Sequence, residues 1–122
     1  MPVHKSFQLG GWTIQPEHNL IANEQARKTL EPKLIQVLVY FAKNEQRVIS
    51  REELLEHIWH NRVSVNAVNR AITELRKALG DTQENRRFIE TVSKQGYKLI
   101  QPVKWCDHKN NGRNLTKIVW PI

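Results

Sequence analysis

The stretch from Ser64 to Gly80, SVNAVNRAITELRKALG, constrains this chain more than any other. Val65, Val68, Ile72, Leu75 and Leu79 recur at i, i+3, i+7, i+10 and i+14, which places them on one apolar stripe of an α-helix. Ser64 stands where a side chain can cap the first free N–H groups, and Gly80 stands where a helix closes. Asn66, Asn69, Arg70, Thr73, Arg76 and Lys77 share another face, with three cations, two amides and a hydroxyl. Amides and guanidinium groups can hold a base edge with two hydrogen bonds at once, and Lys and Arg neutralise phosphates. The helix thus has the makings of one that lies in a DNA groove. A solvated face on an ordinary amphipathic helix fits the same residues, so the surrounding chain has to decide.

Charge distribution favours the first reading. The chain of 122 residues is enough for one domain, and its formal charge is +7. Residues 1–59 hold seven Lys/Arg and seven Asp/Glu, net zero, whereas residues 60–106 hold nine against four, net +5. The positive field therefore begins where the helix begins, which is the footprint of a polyanionic partner. Apolar runs are too short to span a bilayer, and MPVHKSFQLGG lacks the apolar centre of a signal peptide. The single cysteine, Cys106, cannot form an internal disulfide, in keeping with a reducing, cytoplasmic location.

Ahead of the helix, Phe7–Leu9, Trp12–Ile14, Leu20–Ala22 and Ala26–Leu30 read as short strands. Gly10-Gly11, Pro16 to Asn19 and Asn23-Glu24 separate them, giving a small four-stranded antiparallel sheet. Gly10-Gly11 reads as a bend, because a lone glycine pair carries almost no phosphate-loop signal. Pro32 opens a helix that runs to about Lys43, apolar on much of its circumference and suited to the centre of the core. Ser50-Arg51-Glu52-Glu53 reads as a capping box opening a second helix, Arg51 to Trp59. His60 to Val63 is a short connection, so the second and third helices form a helix-turn-helix candidate. Beyond Gly80 a polar loop leads to strands Phe88–Val92 and Tyr97–Ile100 around the turn Ser93-Lys94-Gln95-Gly96. A cationic hairpin beside a helix-turn-helix is a wing, and Lys94 at its tip suits a minor groove or the backbone. The fold class is α+β: a winged helix-turn-helix with an N-terminal sheet, three helices and a C-terminal hairpin.

Leu75-Arg76-Lys77, Ile89-Glu90-Thr91-Val92 and Gly96-Tyr97-Lys98-Leu99, in that order and spacing, resemble the winged-helix domain of the OmpR/PhoB family of bacterial regulators. The run from Val48 through Leu55, with Ile58-Trp59, is similar to that family's second helix. The resemblance covers about residues 7–103 and is strongest to the ToxR/CadC-like branch, whose members are membrane-anchored. It implies double-stranded DNA as the partner, promoter sites that are A·T-rich or repeated, and copies lying head to tail on them. It implies that Asn66, Asn69, Arg70 and Thr73 face the major groove, that Arg76, Thr91 and Tyr97 meet phosphates, and that the wing near Lys94 reaches a minor groove. Lys77 and Arg62 add cationic contacts. Some family members place a base-reading arginine where this chain has Glu74, which reads here as solvated or paired with Lys77. The short His60 to Val63 connection puts the polymerase contact of several relatives in question.

Two further readings fit the same residues: a winged helix that docks proteins, and the detached effector domain of a two-component regulator. The charge on helix and wing speaks against the first, since protein interfaces keep charge from their centres. An enzyme is not expected: HExxH, GxSxG, P-loop and CxxC motifs are absent, and His4, His18, His57, His60 and His108 match no catalytic pattern. No cofactor is expected, and Cys106 with His108 falls short of a four-ligand zinc set. Residues 104–122 read as a flexible tail or juxtamembrane linker. Arg113 and Lys117 followed by Ile118 to Ile122, with Trp120, suit the cytoplasmic start of a membrane segment beyond residue 122. A strand-like terminus fits them equally.

Overall fold

The computed structural model describes residues 5–82, 84 and 86–106. The elements run β1 (Phe7–Leu9), β2 (Trp12–Gln15), a 3-10 turn (Pro16–His18), β3 (Leu20–Ala22), β4 (Arg27–Thr29), α1 (Pro32–Lys43), α2 (Arg51–Trp59), α3 (Val65–Leu79), β5 (Ile89–Val92), β6 (Gly96–Leu99) and β7 (Val103–Trp105). The fold is the α+β winged helix-turn-helix expected.

Period-two alternation makes the sheet. Phe7, Leu9, Trp12 and Ile14 point inward and are buried, while Gln8, Thr13 and Gln15 between them are half-exposed. All pairs are antiparallel, and Phe7 lies opposite Ile14, which lies opposite Ile21. The sheet has five strands, in the order β4-β3-β2-β1-β7, rather than the four expected from turn signals. The fifth, β7, carries the sheet past residue 103: Trp105 pairs with Phe7 across the ladder, their rings 4.8 Å apart. The Val103 N–H donates to Glu45, and the Cys106 N–H donates to the Ser6 carbonyl. Turns announce the other short strands, whereas nothing local pairs β7; β1's free edge, far off in sequence, makes it one.

Helix α1 fills the centre. Pro32 sits in its first turn, where a missing N–H costs nothing, and Leu34, Ile35, Val37, Leu38, Val39, Phe41 and Ala42 are buried. The Ser50 hydroxyl caps α2 by accepting the Glu53 N–H at 3.0 Å. The reciprocal half of the capping box goes elsewhere, for the Glu53 carboxylate accepts from Tyr40 Oη and Arg47 instead. Arg47, ahead of all other influences, holds the Glu53 carboxyl below the ordinary carboxylate range. The α2–α3 connection turns through two successive left-handed residues, His60 and Asn61, types that tolerate this conformation better than most.

Helix α3 buries Val68, Ala71, Ile72, Leu75 and Leu79. Val65, assigned by spacing to the same stripe, is 37% exposed and stands outside the buried set of the helix. Ser64 is the N-cap residue, yet its side chain caps nothing; its backbone carbonyl takes the Ala67 N–H. At the other end Gly80 adopts a left-handed conformation and donates to the Arg76 and Lys77 carbonyls, while Asp81 N–H also reaches Arg76. The sheet satisfies the last carbonyls. Trp12 Nε1 donates to Leu79 at 3.2 Å and Lys28 Nζ to Ala78 at 2.8 Å.

Asp81, 8% exposed, fixes the entry to the wing. Its carboxylate accepts the backbone N–H groups of Arg87, Phe88 and Ile89, donors that the turn into β5 would otherwise leave unpaired. In the wing, Thr91 faces Tyr97 and Val92 faces Gly96. Ile49 and Tyr97 exchange backbone hydrogen bonds of 2.8 and 2.9 Å, stitching the hairpin to the approach to α2. Gly96, at φ +143°, lets the strand come that close: a Cβ there would stand 2.1 Å from the Ile49 carbonyl oxygen.

Gly96→Ala is therefore expected to lose about 2–4 kcal/mol of stability in urea unfolding; a loss within experimental error would mean that the bridge to Ile49 is dispensable. The depressed Glu53 carboxyl stabilises the fold fully above its unfolded value near pH ~4.3, and this contribution fades as pH falls through the lower folded value. Glu53→Gln should accordingly flatten the acid limb of a stability-against-pH curve, measured by thermal melts, and leave its shape above pH ~5 unchanged.

Candidate nucleic-acid interface

The outer face of α3 divides in two. Asn66, Arg70, Thr73 and Lys77 are exposed, as is Glu74. The Thr73 hydroxyl donates back to the Asn69 carbonyl at 3.1 Å, which leaves its oxygen free to accept. Arg70 and Glu74 line an open groove of about 260 Å³ with Glu31, Lys33 and Trp59. Of the two readings of Glu74, solvated or paired with Lys77, the pair does not form. Among the described residues the one ion pair is Arg47–Glu53, so Glu74 is solvated.

Asn69 and Arg76 stand on the flank facing α2 and the wing, and both are half-buried. The Asn69 side-chain oxygen accepts from Arg51 Nε at 2.9 Å and from the Tyr97 hydroxyl at 3.0 Å. Arg76 donates to the Ile89 carbonyl from Nε and Nη2 and to the Thr91 hydroxyl from Nη2 at 2.8 Å. The Tyr97 ring, in a residue only 5% exposed, has the Arg51 guanidinium 5.1 Å and the Arg76 guanidinium 5.7 Å from its centroid. Burial, and then the charge of Arg86, pull the Arg76 pKa below its ordinary value. The sequence-assigned residues Asn69, Arg76, Thr91 and Tyr97 thus form one network. Asn66, Arg70, Thr73 and Lys77 form a separate exposed row, and Lys94 stands apart at the wing tip, exposed and left-handed at φ 62°.

Arg51 and Asp81 organise this surface and were missed in the sequence. Arg51 reads as an ordinary first-turn residue after a capping serine, and Asp81 as one polar residue in a loop. Their roles lie in long-range contacts, to Tyr97 on β6 and to the start of β5. Exposed Val63 and Val65, 42% and 37%, add methyl groups beside Asn66 at the front of the helix.

Among the described residues, no group of three or more His, Cys, Asp and Glu could hold a metal ion, and no helix is long and apolar enough to cross a membrane. Burial pushes the Cys106 thiol up, away from the thiolate that binds metals. His108, Arg113, Lys117 and the segment Ile118 to Ile122 lie outside the described residues.

Residues 25–99 match the family model described as transcriptional regulatory protein, C terminal. The transcriptional activator CadC of Escherichia coli is 42% identical over 100 residues, which are 80% of this chain and 20% of that protein. A cholera toxin homolog transcriptional activator of Vibrio parahaemolyticus is 31% identical over 99 residues, 76% of this chain and 34% of its own length. The chain thus spans a fifth to a third of these relatives. Among solved structures, the DNA-binding domain of E. coli CadC superposes with a TM-score of 0.76 at 37% identity, covering 86% of this chain and all of that one. The Klebsiella pneumoniae RstA DNA-binding domain, solved in complex with the RstA box, gives 0.67 at 26% identity, covering 79% and 97%. The chain belongs to the OmpR/PhoB-type family of transcriptional regulatory C-terminal domains, and its likeness within that family runs to CadC and the ToxR-like activators.

Proposed function

We propose that this domain binds double-stranded DNA in a sequence-specific manner, as the effector module of a longer CadC/ToxR-like transcription regulator. One observation carries the reading: a row of exposed amide, guanidinium, hydroxyl and ammonium groups on α3 lies beside a hairpin whose tip is a lysine. That arrangement suits a helix in the major groove with a cation reaching the next groove or the backbone. Arg62, Lys77 and Lys94 supply affinity through counterion release, and Asn66, Arg70 and Thr73 supply sequence choice. Val63 and Val65 offer methyl contacts of the kind that recognise thymine. The domain acts where DNA lies, in the cytoplasm, with tethering to the inner membrane supplied by further chain, as in the branch it resembles. Repeated or A·T-rich promoter sites taking two copies side by side are the matching targets.

An operator selected from random duplexes gives the direct test, by fluorescence anisotropy over a range of salt. Arg70→Ala is expected to cost about 1–3 kcal/mol on the selected site and much less on random DNA; equal losses on both would remove Arg70 from base reading. Lys94→Ala should weaken binding to all duplexes and lower the salt slope by about 1. An unchanged slope would take the wing tip away from the phosphates.

A further inference from the structure

The Asn69 amide is not free to read bases in the usual way. Holding adenine with an amide requires the oxygen to accept from N6 while the nitrogen donates to N7. A carbonyl oxygen has two lone pairs, and both on Asn69 are taken, one by Arg51 Nε–H and the other by Tyr97 O–H. These donors come from different elements: Arg51 from the first turn of α2, Tyr97 from β6 of the wing. The Arg51 and Arg76 guanidinium groups both lie against the Tyr97 ring, and Arg76 is tied in turn to Ile89 and Thr91 on β5. One oxygen on α3 is therefore a point at which side chains of α2, α3 and the wing all meet, beside the Arg76–Thr91 contact.

We propose that Asn69 is a positioning residue: its side-chain oxygen sets the angle between α3 and the wing, so that groove-reading helix and cationic hairpin engage DNA as one unit. The proposal rests on the DNA-binding reading above. It gives Arg51 and the Tyr97 hydroxyl a role as the two donors that hold this junction, and it moves base reading onto Asn66, Arg70 and Thr73. The Ile49–Tyr97 backbone bridge fixes where the hairpin attaches; the junction fixes how it is aimed.

The test uses the full chain, the selected operator, and a panel of operators with each base pair changed in turn. Wild type, Asn69→Ala, Asn69→Asp and Tyr97→Phe are compared, each with and without Lys94→Ala, after circular dichroism has shown which are folded. Aspartate keeps an oxygen acceptor for Arg51 and Tyr97 but has no N–H to offer a base. Asn69→Ala and Tyr97→Phe are expected to weaken every operator by a common factor, leaving their ranking unchanged. In both backgrounds Lys94→Ala should cost at least about threefold less affinity than in wild type, the mark of two coupled groups. Asn69→Asp should restore the Lys94 sensitivity. A loss in Asn69→Ala confined to one base pair and not restored by aspartate would overturn the proposal, as would a Lys94 effect unaltered in both backgrounds. Should Asn69→Ala not fold, Tyr97→Phe, which removes only a hydroxyl, decides by the same criteria. Wild type binding no duplex more tightly than random DNA would overturn the DNA-binding reading itself, and the positioning role with it.

Discussion

The two backbone hydrogen bonds between Ile49 and Tyr97 join parts of the chain that the helices alone would leave independent. Ile49 immediately precedes the cap of α2, and Tyr97 lies in the returning strand of the wing, so the bridge fixes the hairpin against the start of the helix-turn-helix. It exists because Gly96 has no side chain, since the Ile49 carbonyl occupies the space a Cβ would need. Asp81 performs the matching task at the other end of the hairpin, gathering three backbone donors as the chain enters β5. With both ends held, the wing is a fixed projection of the core rather than a loop hung from it.

Electrostatics follow from the same geometry. Arg51 and Arg76 are brought against one tyrosine ring, and the partners that hold them are neutral: an amide oxygen, a carbonyl and a hydroxyl. A carboxylate in those places would have cancelled the local charge; amide, carbonyl and hydroxyl orient the guanidinium groups and leave their field intact. The acidic side chains that do organise the fold act elsewhere. Glu53 binds Arg47 and Tyr40 on the α1–α2 side, Glu45 receives the β7 backbone, and Asp81 is turned inward.

Sequence periodicity announced α1, α2 and α3 nearly to the residue, because each has apolar spacing and end signals that act locally. The hairpin was equally legible from its turn. What escaped was set by distant partners. Strand β7 needs the free edge of β1, and Val65 lies on the apolar stripe yet meets solvent, since spacing gives a direction and not the reach of the neighbouring helices. Glu53 fits a capping box in sequence but finds a better partner in Arg47. Among the assigned interface residues, Asn66, Arg70, Thr73, Lys77 and Lys94 are exposed as their polarity suggests. Asn69, Arg76, Thr91 and Tyr97 are joined by contacts that no local pattern encodes.

Lys28 and Trp12 place the sheet at the negative end of the α3 dipole, where an ammonium and an indole N–H take two of the carbonyls that the last turn cannot use. The N-terminal sheet is thus a keel for α3 as well as a cover for the core. It grips the helix from behind, at the end remote from Asn66, and leaves the outward side chains untouched. Charge on that rear surface therefore meets the carbonyl end of α3 and none of the groups the helix turns outward.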